Sequence, residues 1–410
     1  AGVTVLVNTG MLLVCEATLG NAWLEVDFLS DREGRDPLAN QFDAFVQDWK
    51  RAHEVDLSFK LTVADMQNLL VGMQRWMEQI DLGIRSTASV DRPTLEREII
   101  DQLQGRVLEE MQGAMVSFEV AVGKIPEGRE ATHKFYVRRQ IHPLVLCSPF
   151  TYRTFHKPLG YAGDYEMVNM MVRDSYEGGS LFAKLINHSF LQTPPVVAHR
   201  NRISYLTKKL KAEAERNAMK GRRTRILNLG CGPAHEVKQF LENEELSDLC
   251  DITLLDFNSE TIEYTRKELT RVRAQAGRVA PISLLLRSVH KLLRQASTGD
   301  VDLKWESFDM VYCSGLFDYL SQRVCRRLND LFARLLAPGG LMLVTNVSDT
   351  NPSRAWMEYV LEWYLIYRDD DAMMEIAPLN SGQFETTLDR DETGVNLFLE
   401  VRKKDDHGES

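Results

Sequence analysis

The chain has 410 residues, 44% hydrophobic and 26% charged, with a net charge of −10. That length suits two or more domains rather than one core. The acidic balance argues against nucleic acid as a partner, and no apolar run reaches the ~20 residues of a membrane span.

In chain order, residues 1–37 read as a short β-rich segment, with strands at Val3–Val7, Met11–Val14 and Ala22–Phe28. They fit either the end of a β domain or a hairpin packed on helices. The chain starts at Ala1 rather than Met, so upstream sequence is expected. A turn-rich linker, Asp31–Pro37, leads into a helical pattern to about residue 147. Apolar residues recur at three and four in Phe42–Trp49, Met66–Met77, Leu95–Val122 and Phe135–Val145. Helix starts are expected at Thr62–Asp65 and at Asp91-Arg92-Pro93. The Met66, Met73, Met77 face reads as core, with the lining of a lipid-like pocket as the other option.

Residues 148–202 mix aromatics, charges and glycines and are expensive to order unless packed. They read as a lid over a site or as an inter-domain connector. Pro194-Pro195 marks a break before a helix over 196–219. The basic run Lys208–Arg225, interleaved with Glu213 and Glu215, reads as a solvated helix face. Six cysteines, at 15, 147, 231, 250, 313 and 325, show neither metal spacing nor a disulfide framework. That usage fits a reducing cytoplasm and predicts no metal centre.

The strongest local signal is Arg225–Leu229 running into Gly230-Cys231-Gly232-Pro233-Ala234 and a helix from His235. Two glycines allow a ligand to lie against the backbone, and the helix start offers free N–H groups to an anionic group. A dinucleotide fingerprint wants a small residue where His235 stands, which weakens an NAD reading. Strand Ile252–Leu255 ends in Asp256, placed for ribose hydroxyls. Phe308–Cys313 reads as a buried strand, 321–336 as a helix, and Pro338-Gly339-Gly340 as a turn into strand Leu341–Val347.

This ordered series, over about residues 200–402, resembles the class I S-adenosylmethionine-dependent methyltransferases. Asn228 stands where that family usually carries Asp or Glu. His156–Glu166, Ala198–Arg202 and the stretches Asn351–Arg354 and Trp363–Arg368 further resemble a bacterial branch of the family. That branch includes enzymes assigned to making 3-hydroxypalmitic acid methyl ester, a quorum-sensing signal. The resemblance implies an α/β fold: a Rossmann-like seven-stranded methyltransferase domain over 203–402, preceded by a mainly helical substrate and lid domain over 38–202, with a tail at 403–410. It implies S-adenosylmethionine as cofactor, held by Asn228, Gly230, Cys231, Gly232, Pro233, Asp256 and Phe257. Ser288, Val289, Ser314 and Tyr161 join them.

Methyl transfer mainly needs nucleophile, carbon and sulfur held in line in a dry site. A carboxylate acceptor is already ionised, whereas an amine or hydroxyl needs a base. Base candidates are His156, Asp164, His199 and Asp318. Cations for an anionic acceptor are Arg153, Lys157, Arg200 and Arg368, and Tyr319 with Phe317 are placed to surround a sulfonium. The expected activity is O-methylation of a fatty or 3-hydroxy fatty acid, a small-molecule acceptor. A methyltransferase acting on an amine, a hydroxyl or a protein side chain, and a non-catalytic cofactor-binding regulator, remain open, as does the oligomeric state.

Overall fold

Strand and helix follow the two apolar periodicities of the chain. In a computed structural model, residues 2–8, 13–18, 37–86, 88, 91–298, 303–378 and 381–405 are described. The elements in order are β1 (Gly2–Asn8), β2 (Leu13–Thr18), α1 (Pro37–His53), α2 (Leu57–Arg85), α3 (Arg92–Val122), α4 (Glu130–Val145), α5 (Pro149–His156), α6 (Tyr165–Val172), α7 (Leu181–Leu191) and α8 (Pro194–Ala218). Then come β3 (Thr224–Leu229), α9 (His235–Asn243), β4 (Cys250–Asp256), α10 (Ser259–Gln275), β5 (Ile282–Leu286), α11 (Val289–Thr298), β6 (Phe308–Cys313), α12 (Gln322–Leu335) and β7 (Leu336–Val347). The chain continues through α13 (Arg354–Tyr359), α14 (Asp370–Glu375), β8 (Phe384–Arg390) and β9 (Asn396–Lys403).

Two compact units emerge. One comprises Ala1–Ala162, Tyr176–Phe190 and Ser353–Tyr364; the other Gly163–Ser175, Leu191–Pro352 and Leu365–Ser410. The expected junction at 202/203 therefore falls inside α8, an unbroken helix of the second unit. Its two prolines do not break the chain. They occupy the first turn of α8, where the missing N–H costs nothing.

In the first unit, β1 and β2 pair antiparallel as a hairpin. The expected strand at Ala22–Phe28, most of the linker after it and residues 11–12 lie outside the described residues. α2 buries Phe59, Val63, Met66, Leu70, Met77 and Ile84, so Met66 and Met77 are core. α2 begins at Leu57 rather than near Thr62, because the Thr62 hydroxyl donates to the Ser58 carbonyl one turn back and is satisfied within the helix. α3 starts as expected, at Arg92 with Pro93 in its first turn. Phe59, Phe118, Trp356 and Tyr359 meet in the core, and Glu119 accepts the first N–H groups of α13, from Ala355 and Trp356, at 2.9 Å each.

The second unit is built on a seven-stranded sheet in the order β5-β4-β3-β6-β7-β9-β8, parallel except for the antiparallel pairings of β9 with β7 and β8. β6 is buried along its whole length, as a parallel strand covered by helices on both faces must be. Alternate residues serve two cores: Leu227, Leu229, Val311 and Cys313 face α11 and α12, while Ile226, Met310 and Tyr312 face α8, α9 and α10. Pro338-Gly339-Gly340 is not a separate turn before the strand. It lies inside β7, where pairing jumps from Phe308–Leu336 to Met310–Leu341, a bulge that Gly339 permits at φ +72°. Nor is Glu213 on a solvated face: it is 3% exposed and paired with Arg216 and Arg402. Among the described residues no helix is long and apolar enough to cross a membrane.

Candidate active site

The chain enters the sheet at β3, moves to β4 on one side and later to β6 on the other. The crevice beyond the carboxyl ends of strands at such a reversal is where open α/β sheets take ligands. The loop leaving β3 is fastened to the end of β4: the N–H groups of Gly230 and Cys231 both donate to the Leu255 carbonyl, at 2.8 and 3.0 Å. Gly230 has φ +72°, and a Cβ there would meet the Leu316 side chain, from the loop after β6, at 3.3 Å. Gly232 has φ +51° and faces open space. Its carbonyl accepts from the Thr265 hydroxyl at 2.7 Å, which anchors the loop to α10.

Asp256 ends β4 and holds both sides of this turn. One carboxylate oxygen accepts the Gly232 N–H at 3.1 Å and the other the Asn258 N–H at 2.9 Å. Burial pushes its pKa up, against the pull of those bonds. Each oxygen keeps lone-pair capacity for a ligand hydroxyl. Behind the loop, Asn228 Nδ2 and the Tyr312 hydroxyl both donate to Glu236 Oε1, at 3.2 and 2.8 Å. Glu236 lies in the first turn of α9, and burial raises its pKa as well.

Four buried polar atoms here have no partner among the described residues: Asn228 Oδ1, Ser314 Oγ, His199 Nε2 and His235 Nε2. Buried polar atoms are nearly always satisfied, so a cluster of unsatisfied ones marks where a polar ligand completes the set. An adenosyl amino acid, with hydroxyls, ammonium and carboxylate, carries groups of that kind. Burial depresses both imidazoles, His235 to about 4 and His199 well below its ordinary range, so both are neutral near pH 7.

Of the residues expected at the site, Asn228, Gly230, Cys231, Gly232, Pro233, Asp256 and Ser314 gather at this edge. Phe257 follows Asp256 half-buried. Ser288 Oγ accepts the Lys291 N–H at 3.3 Å, opening α11, and Val289 packs into the core beside it. Tyr319 lies on the loop after β6, and its hydroxyl stands 3.0 Å from where a Cβ on Gly163 would be. Phe317 is fully buried core. Arg153, His156 and Tyr161 belong to the first unit, where His156 is exposed and its ring lies 4.0 Å from that of Tyr152.

Two expected cations are corrected by their partners. Arg200 donates to the carbonyls of Met171 and Leu191 at 3.1 and 2.9 Å and to Gln192 Oε1 at 3.0 Å. It ties α6 to α8 instead of facing an acceptor. Arg368 is 2% exposed and bonds the carbonyls of Phe317 and Leu320, the side chains of Gln322 and Asn346, and the Cys325 sulfur. It braces the loop after β6 from within the core. Asp318 accepts the Val347 N–H at 2.6 Å and Asp164 caps α6 through the Met167 N–H at 2.8 Å, so both proposed bases hold backbone.

Sequence reasoning missed Glu236 and Arg202. The Arg202 guanidinium sits 3.0 Å from a Cβ position on Gly315, at the loop after β6, and donates to His199 Nδ1 at 2.7 Å. The signal was present: His199 and Arg202 stand three apart, hence on one helix face, just ahead of β3.

Residues 220–384 match a family model described as a methyltransferase domain. An uncharacterized protein of Rickettsia prowazekii is 22% identical over 121 residues, a match that spans 30% of this chain and 42% of that relative. Among solved structures, a possible exported protein from Bordetella parapertussis is 16% identical with a TM-score of 0.46, covering 62% of this chain and 86% of that one. Magnesium protoporphyrin IX methyltransferase from Synechocystis PCC 6803, solved with bound S-adenosylmethionine, is 11% identical with a TM-score of 0.36, covering 52% and 82%. Over residues 220–384 the chain is thus similar to a methyltransferase domain.

Proposed function

We propose that this chain is an S-adenosylmethionine-dependent methyltransferase that acts on the carboxylate of a fatty or 3-hydroxy fatty acid, giving a methyl ester. When bound, S-adenosylmethionine supplies an electrophilic methyl group. Asn228, the Gly230–Pro233 loop, Asp256 and Ser314 would hold it, with Asp256 on the ribose. The observation that carries the reading is the commitment of the carboxylates and of His199 at this edge. Asp256 and Asp318 accept backbone N–H groups, and Glu236 accepts from Asn228 and Tyr312. His199 accepts at Nδ1 from Arg202, so its proton sits on Nε2 and neither nitrogen is open to take another. An ionised carboxylate is a nucleophile without any proton transfer, whereas an amine or hydroxyl acceptor asks for a base. The acyl chain is supported by the resemblance of 156–166 and 198–202 to the fatty-ester branch. A small-molecule acceptor met in the cytoplasm accords with the free thiols of Cys147, Cys231, Cys250, Cys313 and Cys325.

The test is product identification with methyl-labelled cofactor and a panel of fatty acids, 3-hydroxy fatty acids, amines and phenols. Methyl esters are expected, formed at a rate that is flat from about pH 6 to 8. Labelled amines or phenols with no ester would overturn the proposal.

A further inference from the structure

Residues 163–175 belong to the sheet unit, although the chain before them, to Ala162, and after them, from Tyr176, belongs to the helical unit. Their contacts fall on both sides of the loop leaving β3. Gly163 has φ +80°, and a Cβ there would stand 3.0 Å from the Tyr319 hydroxyl, on the loop after β6. Two residues later the Tyr165 hydroxyl donates at 2.8 Å to Glu260, in the first turn of α10 after β4. The Tyr165 ring lies 4.7 Å from that of Tyr264, one turn further along α10. β4 and β6 flank β3, so they stand two strand spacings apart, about 10 Å. Two residues of chain span at most about 7 Å, and the side chains of Tyr319 and Tyr165 supply the remainder. The backbone from 163 to 165 therefore crosses the mouth of the crevice, beyond Gly230 and Gly232.

The two ends of this crossing are held unequally. At the far end Met171 is buried, and Arg200 takes its carbonyl at 3.1 Å together with that of Leu191 at 2.9 Å. Met167, also buried, seats the middle of α6 and keeps the crossing closed most of the time. At the near end the Tyr165–Glu260 bond is open to solvent, where water competes for both partners. The two helices that meet there are also incompletely satisfied. Asn169 Oδ1 on α6 and Thr261 Oγ1 on α10 are buried without a partner among the described residues, against the usual rule for interiors. A segment anchored at one end, weakly latched at the other and laid across a ligand crevice has the build of a gate.

We infer that residues 163–172 gate the crevice, hinged near Met171 and latched by Tyr165 on Glu260, and that the latch opens to admit the cofactor and release its spent form. The inference rests on the crevice taking S-adenosylmethionine.

A gate leaves a kinetic mark that a binding contact does not. Loosening the latch raises the open fraction, so entry and exit speed up together and Kd hardly moves. Loss of a contact to the ligand speeds exit alone and weakens Kd by the same factor. Stopped-flow mixing of the full chain with S-adenosylhomocysteine, then displacement, reads both rates. In Tyr165→Ala both should rise roughly 10-fold, with Kd within about 3-fold of wild type. Tyr165→Phe keeps the ring and loses the bond to Glu260, so both rates should rise about 3-fold. Unchanged rates in Tyr165→Ala overturn the gate, and so does faster exit with a matching loss of affinity. Hydrogen exchange of the ligand-free chain reads the latch without any nucleoside. In Tyr165→Ala the amides of 166–172 should exchange roughly 10-fold faster, while those of β3 and β6 keep the wild-type rate. Unchanged exchange over 166–172 overturns the gate, as does an equal acceleration in β3 and β6, which would make Tyr165 a general structural residue. Wild-type chain that binds no S-adenosylhomocysteine, with the local acceleration present, would refute the cofactor reading and leave the latch in place.

Discussion

The core of the helical unit and the carboxyl edge of the sheet treat their buried polar groups in opposite ways. Among the described residues around Phe59 and Phe118, polar groups that enter the core are engaged: His133 bonds the Arg129 carbonyl at 2.7 Å and meets Asp56 at 3.1 Å, and Glu119 closes the start of α13. At the sheet edge four buried polar atoms are left over, beside a loop held at positive φ. The first pattern is what stability alone produces, since an unsatisfied buried group costs about 1–3 kcal/mol. The second stores that cost where a ligand can repay it.

Substitutions should therefore divide by region. Phe118 is fully buried, and Phe118→Ala should cost about 3–5 kcal/mol of stability by chemical unfolding. The Kd for S-adenosylmethionine should stay within about 2-fold in the folded protein; a larger change would dissolve the contrast. Gly230→Val should do the reverse. It forces a β-branched residue to φ +72° and drives a methyl-bearing carbon at Leu316, so cofactor affinity should fall by roughly 100-fold, about 2.7 kcal/mol. Calorimetric titration checks it, and an unchanged Kd would remove the β3 loop from the site.

Much of the sheet was legible in the chain because parallel strands bury both faces and so read as short, mainly apolar runs. Arg225–Gly232, Ile252–Asp256 and Phe308–Cys313 all carried that mark. What sequence could not show was how charges are spent. Arg200 and Arg202 are two residues apart and chemically identical, yet the chain path that brings the carbonyls of Met171 and Leu191 to one of them leaves the other open. Arg368 looked like the charged end of an aromatic wall, but the wall divides: Trp363 and Tyr364 belong to the helical unit and Arg368 to the core of the other. The same limit applied to Pro338–Gly340, where a turn signature marks a bulge because β6 continues to pair on both sides of it.

The left-over imidazoles make the comparison testable by pH. His235 is depressed to about 4 from the usual 6.5, chiefly by burial and then by Lys238. The unfolded chain therefore binds a proton that the folded chain refuses between about pH 6.5 and 4. The sign follows: stability is full above pH 6.5 and is lost as pH falls through that window. His199 shifts in the same direction. Acidification from pH 7 to 5 should cost on the order of 1–2 kcal/mol from His235. Urea midpoints at the two pH values measure it, and His235→Gln should flatten the dependence. An equally steep fall in that variant would place the titration elsewhere.

The smallest effect expected is at His156, and it bears most directly on the chemistry. The residue is exposed, its ring lies against Tyr152 and Phe155, and it belongs to the helical unit. If the acceptor is a carboxylate, no group needs to take a proton, and His156→Ala should lower kcat by less than about 3-fold, with a stability change within about 0.5 kcal/mol. General-base catalysis by a positioned side chain contributes about 10²–10⁴-fold, so an acceptor that required one would make the same substitution costly. It would also make the wild-type rate rise with pH, and the variant would lose that rise. A hundred-fold loss with an altered pH profile would therefore move His156 from a surface residue to a catalytic base and replace the carboxylate with an amine or hydroxyl. A flat profile and a near-native rate leave the carboxylate as the group that needs no help.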